Sequence, residues 1–106
     1  MNPMEDVVCV ESIRHIMQIF SSKWAFMVMG ELHPGPKRFN QIHKSIGCSA
    51  KSLTDTLKLL EANEIIIRTV QPTMPVTVEY SLTEKGRDFE GVFYEMRKWG
   101  AKWLEK

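Results

Sequence analysis

Ser49-Ala50-Lys51-Ser52-Leu53-Thr54-Asp55-Thr56-Leu57-Lys58-Leu59-Leu60 is the stretch on which the fold turns. Leu53, Leu57 and Leu60 recur at i, i+4 and i+7, which makes them one apolar stripe of a helix. Lys51, Asp55 and Lys58 fall on the opposite side, flanked by Ser52 and Thr54, so the outer face is short, polar and of mixed charge. Ser49 stands at the N-cap position, where a hydroxyl accepts from a first-turn N–H. Just upstream, Asn40-Gln41-Ile42-His43-Lys44-Ser45-Ile46 reads as a second short helix ended by Gly47. Helix, glycine-containing turn and helix form a helix-turn-helix, whose second helix fits a DNA major groove. The same arrangement also serves proteins that never touch DNA.

Charge adds to the pattern. The chain carries a net charge of only +1, yet Leu32 through Thr54 holds Lys37, Arg38, Lys44 and Lys51 with no Asp or Glu. The other ten basic residues face all thirteen acids, a net of −3. Affinity for a phosphate backbone arises where basic side chains displace counterions, so a local patch matters more than the total. The alternative is a solvated charged face.

Size restricts the chain of 106 residues to one domain with one core. A hydrophobic content of 43% with 25% charged residues is that of a globular domain, not a disordered one. The longest apolar run, Trp24 to Met29, falls far short of the roughly 20 residues that span a membrane. The first residues have neither the basic nor the apolar region of a signal peptide, so a cytoplasmic protein is expected, with Cys9 and Cys48 as reduced thiols.

Ile13, Ile16, Met17 and Phe20 give a first amphipathic helix, after an N-terminus of about eight residues expected to be flexible. Ser21-Ser22 offers a break, and Lys23 to Leu32 reads as a buried central helix ended by His33-Pro34-Gly35-Pro36. Beyond the helix-turn-helix, Ile65 to Val70 is strand-like, and Val76, Val78, Tyr80 and Leu82 alternate along a second strand. Gln71 to Pro75 between them reads as a hairpin tip, or wing. Thr83 is then expected to cap one long helix over 83–104 with an apolar stripe at Phe89, Val92, Phe93, Met96, Trp99 and Trp103. Two Trp and two Phe exceed the need of one small core, so the stripe predicts a second subunit, with Phe89, Phe93, Met96, Trp99 and Trp103 at the interface. Packing on the chain's own first helix is the alternative.

The fold class is therefore mainly α with a small β-hairpin, a winged helix-turn-helix extended by a C-terminal dimerisation helix. At this point the residues resemble a known family. Ser-Lys-Trp at 22–24, Gly-Pro-Lys-Arg-Phe-Asn at 35–40, Leu-Thr at 53–54, Leu-Leu-Glu-Ala at 59–62 and Val-Glu-Tyr-Ser-Leu-Thr-Glu-Lys-Gly at 78–86 are similar to the HxlR-type transcriptional regulators, relatives of the MarR group. The similarity runs from Cys9 to about Gly100. It implies a homodimeric bacterial regulator with no cofactor, binding a double-stranded DNA operator. The helix from Ser49 would lie in the major groove and the hairpin beside it. Lys51, Ser52 and Asp55 would lie nearest the bases, with Ser49 and Thr54 on the same helix and Lys37, Arg38, Lys44 and Lys58 mainly on phosphates. Members often carry an N-terminal cysteine before a glutamate, and some sense oxidants or electrophiles with it. Cys9 with Glu11 matches that place, which makes Cys9 a candidate sensor, while a small packing residue remains the alternative.

Four departures stand out. Val10 replaces a usual proline, Thr77 a usual basic residue of the wing, and Glu64 the glycine after the recognition helix, with Asn63 expected to take the left-handed turn instead. Cys48 lies in the helix-turn-helix turn, where packing is its expected role. An enzyme is not expected, since there is no glycine-rich phosphate loop, no Gly-x-Ser-x-Gly and no cluster of carboxylates. His15, His33, His43, Cys9 and Cys48 supply metal-ligand types, but at spacings that match no compact site. A winged helix used only for protein contacts is a further rival, which Lys51 and Lys58 on the outer face oppose.

Overall fold

The computed structural model describes residues 7–105. Its elements in chain order are α1 (Val7–Ile19), α2 (Ala25–Leu32), α3 (Phe39–Ile46), α4 (Ala50–Ala62), β1 (Ile66–Gln71), β2 (Thr77–Leu82), α5 (Glu84–Arg87) and α6 (Glu90–Trp103). Of the N-terminal segment expected to be flexible, residues 1–6 lie outside the described residues. Val7 and Val8 already belong to α1, because no Gly or Pro interrupts the run from Val7 to Ile19.

α2 is central. Ala25, Val28, Met29 and Leu32 are buried on it, against Ile42 and Ile46 of α3, Leu53, Leu57 and Leu60 of α4, and Ile65 and Ile66 at the start of the hairpin. Cys48 is buried in the same cluster and packs as expected. Gly47 ends α3 in the left-handed conformation at φ 80°, a region that costs an L side chain free energy. α4 ends differently from expectation. Asn63 stays at φ −96°, its amide donating to the Leu59 carbonyl at 2.9 Å, and Glu64 takes the positive φ of 60°. The amides of Glu64 and Ile65 donate to the carbonyls of Glu61 and Leu60 at 3.0 and 2.9 Å, a Schellman cap sealed by burial of Ile65 and Leu60. The turn thus falls one residue later, where the family's glycine stands.

β1 and β2 pair antiparallel from Ile66 opposite Leu82 to Gln71 opposite Thr77. Lys37 adds a short third strand, exchanging two backbone bonds with Tyr80 at 2.9 and 2.8 Å, and so fastens the wing to the α2–α3 connection.

The single C-terminal helix expected over 83–104 is two helices. Thr83 caps the short α5, accepting from the Gly86 amide at 3.1 Å and donating to the Glu64 carbonyl at 2.6 Å. The Phe89 amide then bonds the Gly86 carbonyl three residues back at 3.2 Å, a tight turn that redirects the chain into α6. Phe89 is drawn inward by an aromatic cluster, 4.8 Å from Phe20 and 5.4 Å from Phe93, with Phe26 5.3 Å from Phe93. Phe89 and Phe93, expected at a dimer interface, are therefore half-buried within their own chain. Met96, Trp99 and Trp103 are exposed, the two tryptophans at 60% each.

Gly86 is required where it is, since a Cβ there would collide with the Ile65 backbone oxygen, which cannot move without breaking the Thr83 contacts. Gly86→Ala is expected to destabilise the fold by about 2–3 kcal/mol, an overpacking cost against backbone. That lowers Tm by roughly 10–20 °C in a domain of this size, measurable by calorimetry.

The molecule is elongated, 56 × 35 × 23 Å with a radius of gyration of 15.8 Å, against about 13 Å for a compact domain of this length. α1 and α6 make the excess: residues 11–18 of α1 are all exposed and α6 buries no residue.

Candidate nucleic-acid interface

The leucine stripe anchors α4 in the core, which leaves Lys51, Asp55 and Lys58 exposed on its far side. Ser49 caps the helix, its Oγ accepting from the Ser52 amide at 3.0 Å and donating to the Ser52 hydroxyl at the same distance. Both serine hydroxyls thus first serve the helix terminus. The Thr54 hydroxyl donates to the Ala50 carbonyl at 2.8 Å, so its donor is turned away from solvent.

Lys51 Nζ donates to Asp55 Oδ2 at 2.8 Å, one helical turn away. The bond, more than the bare charges, raises the lysine's pKa and lowers that of the aspartate. In so exposed a pair the effect is orientation rather than stability. The carboxylate and the ammonium are held side by side on the face a groove would meet.

The acid-free window from 32 to 54 ends one residue short of Glu31, and the fold makes that residue count. Glu31 Oε2 accepts from Lys37 Nζ at 3.0 Å while its other oxygen accepts from the Ser45 hydroxyl. Those two bonds, Ser45's first, hold the Glu31 carboxyl below the usual range. Their contribution to stability is present above the ordinary carboxylate pKa and lost as pH falls through the depressed folded value. Lys37 is thereby half-buried and paired, whereas Arg38 and Lys44 are exposed at the two ends of α3. The Arg38 amide donates to Gln41 Oε1 at 2.9 Å, which fixes the start of α3.

Sequence reading missed Arg68. It lies on β1 opposite Tyr80, and with Thr54, Leu57, Lys58 and Tyr80 it lines a cleft of about 380 Å3 between α4 and the wing. An arginine between Ile66 and Val70, on the strand face that turns toward α4, was the available signal. It also supplies the only cation of the hairpin, whose tip from Gln71 to Thr77 has none.

A second missed feature ties α4 to the junction of α1 and α2. The Trp24 amide donates to Ser22 Oγ at 3.2 Å, the Ser22 and Thr56 hydroxyls meet at 2.6 Å, and Thr56 donates to the Ser52 carbonyl at 2.8 Å. Thr56 is the one polar residue buried in the core among the described residues. Thr56→Val keeps the shape but strands the Ser22 hydroxyl, so a loss of about 1–3 kcal/mol is expected. Thr56→Ser should lose less than Thr56→Val, because it keeps the hydroxyl. Chemical denaturation of the two variants measures the difference.

Among the described residues no helix is long and apolar enough to cross a membrane. The HxlR-like helix-turn-helix family matches residues 19–106. An uncharacterized HTH-type transcriptional regulator of Synechocystis, sll1512, is 42% identical over 95 residues, covering 89% of this chain and 70% of the relative. The HTH-type transcriptional regulator YodB of Bacillus subtilis is 42% identical over 88 residues, covering 82% and 79%. The reduced form of YodB superposes with a TM-score of 0.81 at 39% identity over 89% of this chain and 93% of that one. Diamide-treated and quinone-bound forms of YodB also match. The redox regulator HypR in its oxidized form gives 0.77 at 33% identity over 86% and 95%. A polar recognition helix with its leucines in the core, a hairpin wing beside it and family similarity over most of the sequence agree: the chain belongs to the HxlR-like helix-turn-helix family, as a winged-helix transcriptional regulator related to the MarR group.

Proposed function

We propose that the protein is a cytoplasmic homodimer that binds a specific DNA operator through α4 and regulates transcription in response to oxidation or alkylation of Cys9. The exposed face of Lys51, Asp55 and Lys58, set against the buried leucines and beside Arg68 of the wing, carries the DNA-binding part. Lys51 is suited to guanine acceptors and Asp55 to the cytosine amino group, so the pair reads bases once the groove separates it. Ser49, Ser52 and Thr54 flank that pair. Arg38, Lys44, Lys58 and Arg68 supply phosphate contacts, with Lys37 joining them only by exchanging Glu31 for a phosphate.

Dimerisation is supported by the elongated shape and by the exposed stripe of Met96, Trp99 and Trp103, with Phe89 and Phe93 bracing α6 from within. Cys9, half-buried, sits on the α1 stripe continued by Ile13, Ile16 and Phe20 at i+4, i+7 and i+11, a face that joins the same interface. YodB and HypR, both described in distinct redox states, are similar over most of this chain.

Salt dependence tests the DNA face. Each phosphate contact contributes roughly 0.9 to the slope of log affinity against log salt, and a dimer makes each twice, so Lys58→Ala or Arg68→Ala should flatten the slope by about 1.8. Lys51→Ala should instead narrow the ratio of operator to random-DNA affinity. If none of these changes touched either quantity, α4 would not be the reading helix.

A further inference from the structure

Gln71-Pro72-Thr73-Met74-Pro75-Val76-Thr77 at the end of the hairpin holds no charged residue, and it leaves its apolar side chains in solvent. Met74 is 97% exposed, more than any other large apolar residue described, and Val76 is 61% exposed. The loop is nevertheless stiffened from within. The Thr73 amide donates to the Gln71 carbonyl and the Thr73 hydroxyl to the Pro75 carbonyl, both at 2.8 Å, while Pro72 and Pro75 each fix φ. An apolar side chain held out on such a loop is costly in water and loses little freedom on contact, so it is suited to insertion.

We propose that Met74 is a wedge for the DNA minor groove: its side chain enters between two base pairs beside the sequence that α4 reads, so that the deformability of this step helps select the operator. The inference rests on α4 being the reading helix. Lys58 of α4 and Arg68 of β1 line one cleft, which places the phosphates of a bound strand between the helix and the wing. Beyond Arg68 the strand runs on to Gln71, about 10 Å at the rise of a strand, and the tip follows. With α4 in the major groove, the tip therefore clears the phosphate ridge and meets the minor groove, about 6 Å wide. Arg38 lines a shallow depression with Met74 and Pro75, a cation beside the apolar tip, and Glu79 in the same depression accepts from Gln71 Nε2 at 3.4 Å. Methionine is among the residues that part base steps in the minor groove, and its unbranched, polarizable chain fits an irregular gap. Pyrimidine–purine steps open at least cost. An apolar insertion releases no counterion, so it adds affinity and sequence preference without adding to the salt slope.

Selection of duplexes from a random pool, by the wild type and by Met74→Ser, tests the wedge. The wild type should enrich the half-sites together with a TA or CA/TG step at a fixed distance outside each, and Met74→Ser the half-sites alone. On a duplex selected by the wild type, Met74→Ser should bind about 10- to 100-fold more weakly, two methionines being withdrawn from water per dimer, while salt slope and thermal midpoint stay unchanged. Met74→Leu, which keeps an apolar chain of similar size, should retain most of the affinity. 2-Aminopurine at the flanking step should brighten on binding the wild type, as it unstacks, and not on binding Met74→Ser. Half-sites enriched without a preferred flanking step, or unchanged affinity in Met74→Ser, overturn the wedge and leave α4 as the reader. A pool that yields no enriched sequence overturns the reading by α4 and the wedge with it.

Discussion

Replacing Trp99 and Trp103 together by serine is expected to turn a dimer into a monomer and to weaken operator binding by about 100- to 10,000-fold, the factor set by losing the second half-site. Both side chains are 60% exposed on a helix none of whose residues is fully buried. Four such rings, two from each subunit, would cover on the order of 600 Å2, roughly 15 kcal/mol at 25 cal/mol per Å2. Association costs an estimated 4–15 kcal/mol, so the tryptophans decide the balance. Far-UV circular dichroism should change little, because the core of α2, α3 and α4 contains neither residue. Sedimentation of the wild type and the variant gives the answer. A wild type that is monomeric at tens of micromolar, or a variant that remains dimeric, would remove the tryptophan face from the interface.

The same stripe shows how far the sequence could be read. Phe89, Phe93, Met96, Trp99 and Trp103 share helical spacing, and periodicity alone sends them all to one partner. What divides them is Gly86, which lets α5 approach the Ile65 carbonyl, and the tight turn after it, which rotates Phe89 and Phe93 into the rings of Phe20 and Phe26. A break of this kind depends on a close backbone approach between segments about twenty residues apart, which no local pattern records. The helix-turn-helix was legible because its signals are local: the leucine spacing, the Ser49 cap and Gly47 each act within one or two turns. Charge was legible only in part. A window without acids marked the α2–α3 connection and α3 as basic, but Glu31 reaches Lys37 and Ser45 through packing of α2 against α3, and the fold sets Arg68 and Lys58 on one wing cleft. Asn63 was the better residue for a left-handed turn on intrinsic preference. Position prevailed over preference, since the Schellman geometry that buries Ile65 requires the turn at Glu64.

Treating the protein with peroxide, diamide or a quinone is expected to change operator affinity at least about tenfold, reversibly with thiol reductant for the two oxidants, and Cys9→Ser is expected to abolish the response. Cys9 shares the face of Ile13 and Ile16, which are 38% and 40% exposed in the isolated chain and would be covered in the dimer. Peroxide oxidises the thiolate to a sulfenic acid, which a second thiol converts to a disulfide with loss of water; diamide takes two electrons from a thiol pair directly. Either product puts a polar group or a crosslink where apolar side chains meet. A tenfold change requires only about 1.4 kcal/mol of difference between two dimer geometries. That is small beside the burial at stake, and a modest rotation would suffice, because in a dimer the two α4 helices would have to match half-sites about 34 to 36 Å apart. Cys48 is the internal control. It is buried in the helix-turn-helix core at 7% exposure, out of reach of an oxidant in the folded protein, so Cys48→Ser should keep the wild-type response. A response lost only in Cys48→Ser would move the switch to the turn between α3 and α4, and an unresponsive wild type would reduce Cys9 to a packing residue.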